Sequence, residues 1–154
     1  MPMNTPAAAP IEWDIQTTIV GRLTIPLARL AVEILLPDRD PAEPHWPSRI
    51  WFDSGAPISV VPYSVQLRGL NWQPVVGVKT TWFGQAADLG YIDIWFPSSL
   101  GGSPIGPFKT LAKFPQSDPP GPAVPVLLGL EFLLAHRAAA ALLTPPQPSS
   151  LTLP

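Results

Sequence analysis

The sequence predicts a mostly-β fold, a closed barrel or sandwich of short strands with one short helix. Apolar residues recur in short runs, several with a period of two, as where Tyr91, Asp93 and Trp95 alternate with Ile92, Ile94 and Phe96. Proline is abundant: 23 Pro and 11 Gly in 154 residues nearly exclude long helices and supply turns. The prolines fall mostly between apolar runs, where they punctuate strands and form no repeat.

The length suits one domain with a real core. With 46% hydrophobic and 13% charged residues, the chain is not an acidic or basic disordered protein. The formal net charge is -2 and the nine Lys and Arg are scattered, so no nucleic-acid partner is expected. The absence of Cys excludes disulfides, thiol catalysis and thiolate metal sites. His45 and His136 show no ligand spacing, and no metal is expected. Residues 1–10 lack the basic and apolar regions of a signal peptide. Val124 to Leu143, the longest apolar region, is broken by Pro125, Glu131, His136 and Arg137 and makes a poor membrane span. No membrane partner is therefore expected, and a cytoplasmic location is the default. The start at Met1 argues against excision from a longer precursor.

Taken in order, residues 1–10 read as a flexible N-terminal tail and residues 11–154 as a single domain. Ile11 to Ile25 reads as one or two strands with a turn at Gly21, and Leu27 to Leu36 as a strand, although Ala28, Leu30, Ala31 and Glu33 would also permit a helical turn. Pro37 to Pro47 is a loop. Ile50 to Phe52 is a buried strand that enters Asp53-Ser54-Gly55-Ala56, and Ile58 to Val61 is the strand that leaves it, ended by Pro62. Tyr63 to Leu67 fits one helical turn. Val75 to Trp82 and Leu89 to Phe96 form a long hairpin joined by Phe83 to Asp88, with Gly84 at its tip. Ser98 to Pro107 is a loop, Phe108 to Phe114 a strand, Pro115 to Pro125 a proline loop, and Val126 to Leu128 a short buried strand stopping at Gly129. Leu130 to Ala135 is the best helix, with Glu131 in its first turn and His136-Arg137 at its end. Ala138 to Leu143 and Ser150 to Leu153 make a last hairpin.

Asp53 is the residue around which function is read. An ionised side chain between two apolar strands is costly unless it is paired or takes part in chemistry. The other acids lie in loops, at a hairpin tip or on strands with an outward face. Two readings stand side by side here: an Asx turn in which the carboxylate caps backbone N–H groups, and a catalytic carboxylate.

Ile50-Trp51-Phe52-Asp53-Ser54-Gly55-Ala56, followed by Ile58-Ser59-Val60-Val61, resembles the catalytic signature of the retropepsins, the single-domain retroviral-type aspartic proteases. Val126-Leu127-Leu128-Gly129-Leu130-Glu131-Phe132-Leu133 is similar to the family's second signature, an apolar strand, Leu-Gly and a helix. Val75 to Phe96 stands where the family has its β-hairpin flap. The likeness runs from about Leu27 to Leu143, in order.

The resemblance implies a closed barrel of the acid-protease type and an aspartic endopeptidase that needs no cofactor. Such an enzyme uses two carboxylates about 3 Å apart that share one proton. Asp53-Ser54-Gly55 occurs once in this chain, so the dyad would be Asp53 from each of two subunits in a homodimer. By likeness, Ser54 would hydrogen-bond across the dimer, and Gly55 would donate its N–H to the carboxylate. Ala56 would belong to the same active-site loop, and Gly129 would support that loop through close packing. Trp82, Phe83, Gly84 and Gln85 would form the tip of the flap over an extended peptide or protein substrate.

Four features depart from the family. Pro57 replaces a usual polar residue, the hairpin tip carries Trp82-Phe83 where viral enzymes are Gly-rich, the loop before the Asp53 strand is longer, and the chain after the helix runs on past where a viral protease would end, which implies a differently built dimer interface. They fit a cellular or bacterial member better than a viral one. They also keep open a non-catalytic peptide-binding or scaffolding domain of the same fold, and an unrelated β-barrel in which Asp53 only caps a turn. Of the six Trp, only Trp82 has a positional argument for touching substrate; the others read as packing.

Overall fold

The computed structural model describes residues 6–98 and 101–154, which hold ten strands and two short helices. β1 (Ala7–Val20) turns through Gly21, at φ 62°, into β2 (Leu23–Pro37). β3 (Pro44–Phe52) leads to the Asp53 turn, and the two-residue β4 (Ser59–Val60) leaves it. α1 (Tyr63–Gln66) is a single turn. β5 (Gln73–Trp82) and β6 (Gln85–Phe96) form the predicted hairpin, followed by β7 (Ile105–Pro115) and β8 (Leu127–Leu128). α2 (Leu130–His136) precedes β9 (Ala139–Ala141) and β10 (Ser149–Leu153), which pair antiparallel as the last hairpin.

All ten strands belong to one sheet, in the order β5-β6-β7-β4-β8-β3-β2-β1-β10-β9. Strand β2 also meets β6 directly, through the pair Leu35 and Trp95. Most neighbours are antiparallel; β3 with β8 and β4 with β7 are parallel. The parallel pairs matter for the site, because they bring the ends of β3 and β8 together.

The core gathers Val32, Ile34 and Leu36 from β2, Ile50 from β3, Phe96, Phe108 and Phe114 from β6 and β7, and Leu128 and Phe132. The period-two pattern explains the first set: Val32, Ile34 and Leu36 share one face of their strand. Phe132 anchors α2. It lies 5.8 Å from both Phe96 and Phe108, ring centroid to centroid, and its full burial contributes roughly 1.5–3 kcal/mol. His136 closes the helix by donating from Nε2 to the Lys109 carbonyl at 2.8 Å.

Three expectations are corrected. Residues 7–10 are not tail: Ala7–Pro10 pair with Ser150–Leu153, and Ala9 is buried. Their partner strand lies at the far end of the chain, beyond the reach of local pattern. The loop before the site ends at Glu43, since Pro44–Pro47 belong to β3. Over those residues β3 pairs only with β2, and an open edge tolerates proline. The hairpin loop is two residues, Phe83 and Gly84, both at positive φ (49° and 72°), as a type I′ turn requires. Ala86, Ala87 and Asp88 are therefore paired, opposite Thr81, Thr80 and Lys79. Of the expected Ser98–Pro107 loop, residues 99–100 lie outside the described residues. Among the described residues no helix is long and apolar enough to cross a membrane.

Candidate functional site

Asp53 stands at the point where β3 stops. Its own N–H donates to the Leu128 carbonyl at 3.0 Å, so the last rung between β3 and β8 is made by the aspartate itself. The chain then turns sharply: the Ala56 N–H returns to the Asp53 carbonyl at 3.1 Å, and the Gly55 N–H donates to Asp53 Oδ1 at 2.9 Å. One carboxylate oxygen is thus held by backbone. Oδ2 has no hydrogen-bond partner among the described residues, and the side chain is half-buried.

The turn rests on the start of α2. The Leu130 N–H donates to the Ala56 carbonyl at 2.9 Å and the Glu131 N–H to the Pro57 carbonyl at 3.0 Å. Gly129 makes this approach possible. A Cβ there would lie 2.7 Å from the Ala56 carbonyl oxygen and 2.7 Å from the Ile58 carbonyl carbon. The Gly129 N–H donates to the Ser59 hydroxyl at 3.0 Å, and Ser59 is buried. Two loops, after β3 and after β8, are therefore locked by four backbone-anchored hydrogen bonds into one unit.

Two hollows open on either side of Asp53. One, about 460 Å³, is bounded by Arg29, Leu30, Trp51, Ser54, Phe83 and Leu127. The other, about 230 Å³, is bounded by Gly55, Pro57, Trp82, Phe83, Lys113 and Leu127. Asp53 lines both, and it is the one carboxylate in either. A hollow of about 510 Å³ beside α1 has no carboxylate in its wall.

The hairpin tip reaches this site. Phe83 lines both hollows and is 73% exposed. Trp82 is buried against Val60 and Leu127 and meets Phe83 edge-on at 5.0 Å. Gly84 completes the turn. Gln85 points elsewhere, accepting from the Ser117 hydroxyl at 2.8 Å, and lines neither hollow. Ser54 is exposed at the mouth, with no hydrogen-bond partner among the described residues. Asp53, Ser54, Gly55, Ala56 and Gly129 are thus brought together, with Trp82 and Phe83 beside them.

Sequence reasoning passed over three residues near or beneath the site, Ser59, Arg29 and Lys113, and one that acts at a distance from it, Asp118. Ser59 is the lone polar residue in Ile58–Val61, a signal that was readable. Arg29 lays its guanidinium 5.0 Å from the Trp51 ring, and Lys113 donates to the Thr81 carbonyl at 3.0 Å. Asp118, in the proline loop, accepts from the Tyr63 and Ser64 N–H groups at 2.7 and 3.0 Å. It supplies the cap that Pro62 cannot give to α1. Nothing local marks these last three. No three His, Asp or Glu side chains of the described residues come together as a metal-ligand group.

No protein-family model, no curated protein and no solved structure matches this chain.

Proposed function

We propose that the chain is a retropepsin-like aspartic endopeptidase, acting as a homodimer in which Asp53 of each copy supplies half of a catalytic dyad. The observation that carries this reading is the state of Asp53. One oxygen is fixed by the Gly55 N–H, and the other is unengaged among the described residues, in a cleft walled by a hairpin tip. A carboxylate that only capped a turn would have no need of the cleft. In the dyad one carboxylate takes a proton from water while the other gives one to the peptide carbonyl oxygen. Carboxylates that close cannot both ionise, so the pair titrates as a unit.

On this reading the strands linked through Leu35 and Trp95 form a closed barrel, and the β5–β6 hairpin is the flap. The flap differs from a glycine-rich one. Its tip offers the Phe83 ring to the substrate, and the same tip is fastened by Trp82 packing on Val60 and Leu127. Main-chain hydrogen bonds would hold an extended peptide between tip and cleft floor. Ser54, exposed at the mouth, would bond to the second copy.

The test is Asp53→Asn, with oligomeric state and folding checked in parallel. Wild type should cleave a mixed peptide library between mildly acidic and neutral pH, and the variant should lose that cleavage while remaining folded. Retained cleavage in Asp53→Asn, or none in wild type, overturns the reading. A non-catalytic peptide-binding domain is the second reading, and Pro57 favours it: proline removes a backbone N–H beside the cleft. Peptide binding without cleavage by wild type would identify it.

A further inference from the structure

The two hollows that share Asp53 have the same electrostatic character. Each contains one cation. Arg29 stands in the wall of the larger and Lys113 in the wall of the smaller. Neither cation has a carboxylate within ion-pair distance among the described residues, whereas Arg49 and Lys79 do. Three residues separate the two hollows: Asp53 itself, Phe83 and Leu127.

Both cations are held in place by something other than an anion. The Arg29 guanidinium lies over the Trp51 ring, 5.0 Å from its centroid, and lines the larger hollow. The β2–β3 pairing ends at Leu30 opposite Phe52, with Arg29 the next residue on β2 and Asp53 the first after β3. Lys113 spends one donor on the Thr81 carbonyl beneath the hairpin tip and keeps two. The remaining walls are mainly apolar: Leu30, Trp51 and Phe83 on one side, Ile58, Val60 and Trp82 on the other.

We propose that the cleft selects peptides with apolar residues at the scissile bond and acidic side chains flanking it, and that Arg29 and Lys113 read those acids. The proposal rests on the endopeptidase reading for its scissile bond. Its recognition chemistry rests only on the two cations. In an extended peptide the side chains alternate, so apolar residues can fill the walls beside Asp53 while carboxylates further out reach the cations. Arg29 offers a planar pair of donors suited to bidentate carboxylate binding, and Lys113 a point charge. A chain of net charge -2 has no general attraction for acidic peptides, so any preference for them must come from the local placement of Arg29 and Lys113 on either side of Asp53.

The experiment uses synthetic peptides with a central Leu-Phe pair flanked by Glu or, in a matched set, by Gln. Cleavage is followed on wild type, and binding is followed by tryptophan fluorescence on Asp53→Asn. The Glu set should be preferred on the order of tenfold in both readouts, the scale of a charge-assisted hydrogen bond. Arg29→Gln and Lys113→Gln should each reduce the preference, and Arg29→Glu should shift it toward Lys-flanked peptides. Thermal melting confirms that each variant is folded. Equal cleavage of both sets overturns the proposal and leaves the endopeptidase reading intact. Preferential binding of the Glu set without cleavage by wild type upholds the reading of acids by the two cations and overturns the endopeptidase with its scissile bond. A preference unchanged in both folded Gln variants also overturns it, as does the absence of binding to either set.

Discussion

A single carbon at position 129 tests how tightly the site is built. The Cβ of Gly129→Ala would lie 2.7 Å from the Ala56 carbonyl oxygen, 2.7 Å from the Ile58 carbonyl carbon and 2.9 Å from the Ser59 nitrogen. All three are backbone atoms, so no side chain can rotate out of the way. The two loops must part, which strains the hydrogen bonds from Leu130 and Glu131 that seat the Asp53 turn. The expected cost is about 1–3 kcal/mol, the range for overpacking, read as a lowered denaturation midpoint. On the endopeptidase reading, peptide cleavage should fall by more than the folded fraction does, because the displaced element carries Asp53. A second residue acts at a distance. Asp118 caps α1 with both carboxylate oxygens across 55 residues of sequence. Asp118→Ala leaves two helix N–H groups to water and should cost about 0.5–2 kcal/mol with no change in the peptide selectivity of the cleft. A chemical-denaturation series on both variants checks the pair.

The β1–β2 hairpin is two structures in one element. Near its ends, β1 pairs with β10 as far as Ile11 and β2 pairs with β3 from Leu30 onward. Between those limits its strands pair only with each other, and Ile15, Ile19, Val20 and Leu23 are more than half exposed. The same alternation that buries Ile34 and Leu36 thus points Ile19 into solvent. Periodicity says which residues share a face, and only the neighbouring elements decide whether that face is covered. Ile19→Ala should therefore change stability by less than about 0.5 kcal/mol, as exposed sites do. Ile34→Ala, at 0% exposure, should cost about 2–5 kcal/mol. A melting comparison in which Ile19→Ala matched Ile34→Ala would mean that the arm is covered in solution. Arg49 ties the root of the same hairpin to β3. Its hydrogen bond to Glu12, 2.7 Å long, raises its pKa above the ordinary value, against a smaller opposing effect of burial. The pair is solvent-exposed and fixes geometry more than it adds stability.

At the scale of the whole molecule, local signals carried far. Asp53-Ser54-Gly55-Ala56 stood out because a carboxylate interrupts two apolar runs. Leu128-Gly129 stood out because a glycine ends one, and their adjacency follows once β3 and β8 pair in parallel. What could not be read was contact between remote segments: the pairing of Ala7 with Leu153, the reach of Asp118, and the cations that Arg29 and Lys113 bring to the cleft. The hairpin turn was misjudged for a local reason, since Phe83 takes a left-handed φ that bulky residues rarely adopt. One carboxylate per cleft has a further consequence. If the dyad needs Asp53 from two copies, activity belongs to the dimer, and dilution must abolish it. Specific activity per chain should stay constant at high protein concentration and fall toward zero below the dimer dissociation constant. In the dilute limit it should decline in proportion to concentration, because the dimeric fraction of chains does. Sedimentation equilibrium on Asp53→Asn, which cannot digest itself on this reading, gives that constant independently. Coincidence of the two midpoints places the chemistry between copies. Activity per chain that persists where sedimentation finds only monomer would mean that one Asp53 suffices, and the shared dyad would have to be abandoned.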